Sequence, residues 1–125
     1  MKIANILSLL LGVVLALLAI QWIFSPSVAA ESLNMNYLDG LGRNTQIRDF
    51  TALFLGTSIM SFISAYTKQY QWITSVGVVY FITALFNILG PVFYNAPLTY
   101  PSLIAEVIFT LIALTAGFIY KSNKL

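Results

Sequence analysis

Four long apolar runs, separated by short polar stretches, set the architecture of the chain. The run from Pro101 to Tyr120 is long enough to cross a bilayer and carries one acid, Glu106. No other Asp or Glu lies as far inside an apolar run of this chain. Helical periodicity puts Glu106, Thr110, Ala113 and Gly117 on one narrow stripe, at steps of four, three and four. The rest of that helix surface is Leu, Ile, Val and Phe. One acid above a strip of small residues gives such a helix a lipid side and a protein side.

The other runs have the same two-sided character. The first, about residues 3–24, contains no charge and is longer than the roughly 7–15 residues of a signal-peptide core. It reads as a retained span, although Val28-Ala29-Ala30 imitates a cleavage site. Ser8, Gly12, Ala16 and Ala19 form its small-residue stripe, with Gln21 on the opposite face. Ser25-Pro26 ends or kinks this helix and suits the cap and first position of another, so a short interfacial helix is expected after the first span. Residues 34–42 read as a loop. The second span runs from about 45 to 67, with Arg48 and Asp49 in its first turns and a stripe of Thr57, Ser61, Ser64 and Ala65. After a polar turn at residues 68–71, the third span covers about 72–89. Gly77, Tyr80, Ala84 and Asn87 share one arc of it, with Thr83 at the edge. Gly90-Pro91 predicts its break, residues 95–100 a loop, and Pro101 the start of the fourth span, about 101–120. The pattern therefore predicts an all-α, four-helix transmembrane bundle in a single domain, residues 1–125.

Composition agrees and narrows the chemistry. Charged residues make up 8% of the chain and hydrophobic ones 59%. A soluble domain carries about a quarter charged residues, so this chain could not cover a water-facing surface. With no Cys there is no thiolate metal site, thiol relay or disulfide; with no His there is no imidazole base or haem ligand of the usual kind. No metal site and no cofactor are expected. A net charge of +2 gives no ground for nucleic-acid binding.

Charge also predicts orientation. An even number of spans puts both termini and the turn at Lys68 on one side, which holds Lys2, Lys68, Lys121 and Lys124 and no acid. The other side holds Arg43 and Arg48 together with Glu31, Asp39 and Asp49. The positive-inside rule then places both termini in the cytoplasm and argues against dual insertion. Trp22, Tyr94 and Tyr100 are expected at the outer interface, and Tyr66, Tyr70, Trp72 and Tyr120 at the inner one.

This topology gathers scattered polar residues. Arg48, Asp49, Asn87 and Glu106 all fall in the outer part of the bilayer, with Tyr80 about two turns below Asn87. Glu106, five residues past Pro101, lies roughly 7–8 Å deep. The expectation is an outward-opening polar pocket, closed below by small-residue packing. Its ligand-binding or ion-pair candidates are Arg48, Glu106, Asn87 and Tyr80. Glu106 is expected to be paired, with Arg48 or with the Tyr and Asn of the third span. Two readings stay open: a structural ion pair offsetting the cost of a membrane acid, or a working site. Arg48 raises a geometric question, since on an unbroken helix it lies opposite the Thr57–Ser61 stripe. Asp49 has a local role available, because an acid in a first turn is favoured by the helix dipole.

The size, the four spans, the proline after the first, the Arg48-x3-Ala52-x3-Gly56 opening of the second and Glu106 in the fourth resemble a family of small bacterial membrane proteins, domain of unknown function 4345. That family is related in general shape to DoxX-like four-helix proteins. The resemblance covers nearly the whole chain, although family members often have glycine where this chain has Ala52 and Leu53. It implies a four-helix fold in the bacterial inner membrane and no particular activity.

Three classes of function are compatible with the residues. The first is a non-enzymatic binding or accessory protein, with membrane lipids and another membrane subunit or a second copy as partners. The second is a small homo-oligomeric transporter using Glu106. The third is an enzyme acting on a lipid or quinone, disfavoured because no nucleophile, metal site or acid pair accompanies Glu106.

Overall fold

In a computed structural model the structure describes residues 1–123, so Lys124 and Leu125 lie outside the described residues, including one of the four lysines that predict orientation. The chain forms α1 (Lys2–Phe24), α2 (Pro26–Ser32), α3 (Gly40–Thr67), α4 (Tyr70–Phe93) and α5 (Tyr100–Ser122), with no strand among the described residues. All but α2 are long and apolar enough to cross a membrane. The protein is an all-α, multi-pass four-helix bundle.

The four spans form an up-down ring, α1 beside α3, α3 beside α4, α4 beside α5, and α5 beside α1. Cross-helix contacts show each neighbour pair to be antiparallel. On α1 and α3, Ser58 Oγ donates to the Gly12 carbonyl at 2.7 Å, and the rings of Trp22 and Phe50 stack at 4.9 Å. Between α3 and α4, Thr57 and Tyr80 share a hydrogen bond of 2.9 Å. At the turn between them, Ser64 Oγ donates to the Gln69 carbonyl and accepts the Ile73 N–H. Tyr120 donates its hydroxyl proton to Asn5 Oδ1 at 2.7 Å, joining the two ends of the chain across α5 and α1.

The two halves of the bundle are filled by different kinds of side chain. In the half nearer the termini, glycines let helices meet closely. A Cβ added at Gly12 would stand 2.9 Å from the Phe62 ring, one at Gly77 2.6 Å from Leu114, and one at Gly117 would collide with Thr74. In the opposite half Phe50, Phe54, Tyr80 and Phe109 stand between the helices, with Tyr80 and Phe109 edge to face at 5.2 Å. The glycine contacts lie within the α1–α3 and α4–α5 pairs, and the large rings line the space between the two pairs.

Several elements differ from the sequence reading. Helix α3 starts at Gly40, five residues earlier than 45; Gly40 itself has φ +58, a conformation in which a Cβ is strained. Pro91 does not break α4, which continues to Phe93. A proline in the last turn removes one N–H, and the helix end is still closed by the Tyr94 and Ala96 N–H groups on the Gly90 carbonyl. Trp22 is not an interfacial anchor: it is 1% exposed, held inside by Phe50. Tyr120 is likewise buried, its hydroxyl satisfied by Asn5. The predicted helix after the first span exists as α2, with Pro26 in its first turn, and it packs on α1 with Ala29 and Ala30 fully buried.

Candidate functional site

Between the two helix pairs, in the half remote from the termini, lies a cavity of about 600 Å³, beside a recess of about 400 Å³ that shares Met35 and Phe50. All four spans wall the main cavity. Leu33 and Met35, just after α2, line it from the connecting segment. Its lining is mostly apolar, chiefly Leu and Phe, with polar groups concentrated on α4, α5 and the loop between them. The polar pocket expected from the sequence is thus an apolar cavity with one polar wall, because each span contributes a whole face and, among the spans, α4 and α5 bring the polar residues to it.

Asn87 organises that wall. The Thr99 N–H donates to Asn87 Oδ1 at 3.1 Å, and Asn87 Nδ2 donates to the Thr99 carbonyl at 3.0 Å and to Glu106 Oε1 at 3.2 Å. The Thr99 N–H can only donate, so it fixes which way the amide faces, and the second amide proton is left to meet the carboxylate. Helix α5 starts at Tyr100, immediately after the clamped Thr99, so the clamp also sets where Glu106 sits.

Tyr80 stands about two turns deeper and also lines the cavity. Thr57 Oγ1 has one proton and gives it to the Leu53 carbonyl at 2.7 Å, so the 2.9 Å contact is Tyr80 donating to Thr57. Thr83 directs its hydroxyl to the Val79 carbonyl.

Arg48 does not belong to this group. It is paired with its neighbour Asp49 at 3.0 Å, and both side chains are 62% exposed. At 28 residues α3 is about 42 Å long, against about 30 Å of hydrocarbon, so its first turns extend past the apolar layer. Arg48 sits there on the face opposite the buried Thr57 and Ser61, which is why the expected pairing with Glu106 does not occur. Among the described residues no cation forms a salt bridge with Glu106. Of the four candidates, Tyr80, Asn87 and Glu106 share the cavity, and Arg48 lies outside it.

One clamp was missed. Gln46, 3% exposed, accepts the Leu38 N–H at 3.0 Å and donates to the Asn36 carbonyl at 2.9 Å. It holds the α2–α3 connection as Asn87 holds the α4–α5 loop. A signal existed: extending the Ser61–Thr57 stripe backwards by helical steps passes Phe54 and Phe50 and reaches Gln46. Arg43 reinforces this segment, donating to the Leu38 carbonyl, pairing with Asp39 at 2.9 Å and covering the Tyr37 ring.

Among the described residues no group of three His, Cys, Asp or Glu side chains comes together. Comparison with protein-family models, with curated proteins and with solved structures gives no match.

Proposed function

We propose that the chain is a non-enzymatic binding or accessory protein of the bacterial inner membrane that holds a small, largely apolar molecule between its helices. The observation that carries this reading is the cavity: about 600 Å³, walled by every span, apolar along most of its surface and ending at the fixed Asn87–Glu106 pair. Binding sites for small molecules are typically about 300–1,000 Å³, apolar, with a few convergent polar groups. With the termini in the cytoplasm, the cavity lies in the outer half of the bilayer, and contacts joining the two pairs on the inner side, Ile73 to Ser64 and Tyr120 to Asn5, lie below it.

Native mass spectrometry of protein extracted in mild detergent tests the reading. Wild type should carry a bound small molecule that Ala105→Phe, which fills the cavity from its α5 wall, excludes. Identical adducts on the two proteins would overturn it.

A second reading, a small homo-oligomeric transporter, is favoured by a membrane carboxylate without a salt bridge among the described residues. It requires the half nearer the termini to open, against the bonds that join the two pairs there, Ile73 N–H to Ser64 and Tyr120 to Asn5.

A further inference from the structure

The hydrogen-bond inventory of the cavity wall has a sign. Asn87 has no donor left, with both amide protons committed and its carbonyl oxygen accepting the Thr99 N–H. The Tyr80 proton goes to Thr57, the Thr83 proton to Val79 and the Ser32 proton to Ala29. What these groups leave to an occupant is acceptor capacity: the second oxygen of Glu106 and the remaining lone pairs of the Tyr80 phenol. The hydroxyls of Thr99 and Ser102 can serve either way. Glu106 is the one charged residue in the lining, which holds no Lys or Arg.

Resting on the binding function proposed above, we infer that the occupant is a lipophilic amine: an apolar chain lying among Leu18, Leu53, Phe54 and Phe109, with a hydrogen-bond-donating, cationic head at Glu106. An ammonium group matches both features of the wall, its spare acceptors and its single negative charge. A carboxylate or phosphate head meets neither; it would find few donors and a like charge. An uncharged alcohol satisfies the acceptors and lacks the charge, so it ranks between the two.

Trp22 reports on the cavity, because it stacks on Phe50, whose side chain lines it. The chain has two tryptophans, and Trp72, bonded to Gln69 at the opposite turn, can be replaced. In a Trp72→Phe background in phosphatidylcholine nanodiscs, decylamine, decanol and decanoate are titrated and Trp22 emission is read against empty discs. The expected order is amine, alcohol, carboxylate, with the amine bound at least about tenfold tighter than the carboxylate. Glu106→Gln should erase that preference. If the variant fails to fold, the wild-type order alone decides. Equal binding of all three probes, or tightest binding of decanoate, overturns the amine assignment and leaves the binding function standing. No response to any probe in wild type, or the same response in wild type and Ala105→Phe, overturns both. Replacing phosphatidylcholine by phosphatidylethanolamine distinguishes sources of the amine: competition with decylamine supports a lipid head group, and its absence a free single-chain amine.

Discussion

Asn87 makes three hydrogen bonds from one side chain, and each serves a different part of the site. Two fix the backbone of Thr99 ahead of α5 and the third reaches Glu106. Asn87→Ala leaves the Thr99 N–H, the Thr99 carbonyl and Glu106 to find new partners in a poorly hydrated place. We expect a loss of about 1–3 kcal/mol, measured by unfolding in mixed detergent micelles. Asn87→Asp should cost more, because it loses the donors and sets two carboxylates side by side; equal losses would mean that Glu106 is not held through this residue. At this scale the sequence was informative for residues deep in the spans. Helical periodicity alone put Asn87 and Tyr80 on one arc and Glu106 on a helix-facing stripe, because a bilayer leaves a buried polar residue few places to go. It misled for Arg48, whose long side chain has a choice of partners. The adjacent Asp49 outcompetes an acid on another helix, and neither leaves the interface to make the pair.

The helices themselves divide into a packed half and an open half, and single substitutions should feel the difference. Ala113 is fully buried, and a Cβ added at Gly77 would come within 3.3 Å of its own. Ala113→Leu should therefore overpack the α4–α5 crossing and cost roughly 1–3 kcal/mol in the same unfolding measurement. Gly56 is the control, since an added Cβ there meets nothing within 4 Å. Gly56→Ala should be neutral or stabilise α3 by up to about 1 kcal/mol, from helix propensity alone. Melting of Ala113→Leu like the parent would mean that the α5 stripe faces lipid. A third element-scale test concerns the α2–α3 connection. Gln46→Ala removes the contacts holding Asn36 and Leu38, so hydrogen exchange at residues 35–39 should accelerate by more than about tenfold, with the spans unchanged. Small-residue stripes were readable from sequence because close helix crossings admit few side chains. The connection was not, because its order depends on one glutamine that joins residues eight and ten positions apart. The break expected at Gly90-Pro91 failed for a related reason: backbone groups near a membrane are best satisfied by continuing the helix.

At the scale of the whole molecule, the two ends of the bundle differ in charge. Both arginines at the loop end are matched by acids, Arg43 by Asp39 and Arg48 by Asp49. At the terminal end Lys2, Lys68 and Lys121 have no acid among the described residues near them in sequence, and Lys121 lies over the Tyr70 ring. Unmatched lysines flanking short turns are the kind of charge that resists translocation, whereas local Arg–Asp pairs add little to either side. We therefore expect the terminal end in the cytoplasm and the mouth of the cavity at the outer face. Paired reporters check this: alkaline phosphatase or a fluorescent protein fused after Leu125, or inserted in the loop at Asn95. The fluorescent protein should be bright after Leu125 and dark at Asn95, and the phosphatase should show the reverse. The opposite pattern would overturn the orientation, and with it the assignment of the cavity to the outer half of the bilayer. Replacing Lys2, Lys68, Lys121 and Lys124 together by Gln then tests the cause. If lysine sets the orientation, this variant should insert both ways and light both reporters at each position. If it keeps a single orientation, the hydrophobicity and order of the spans set the topology and the charge difference is a bystander.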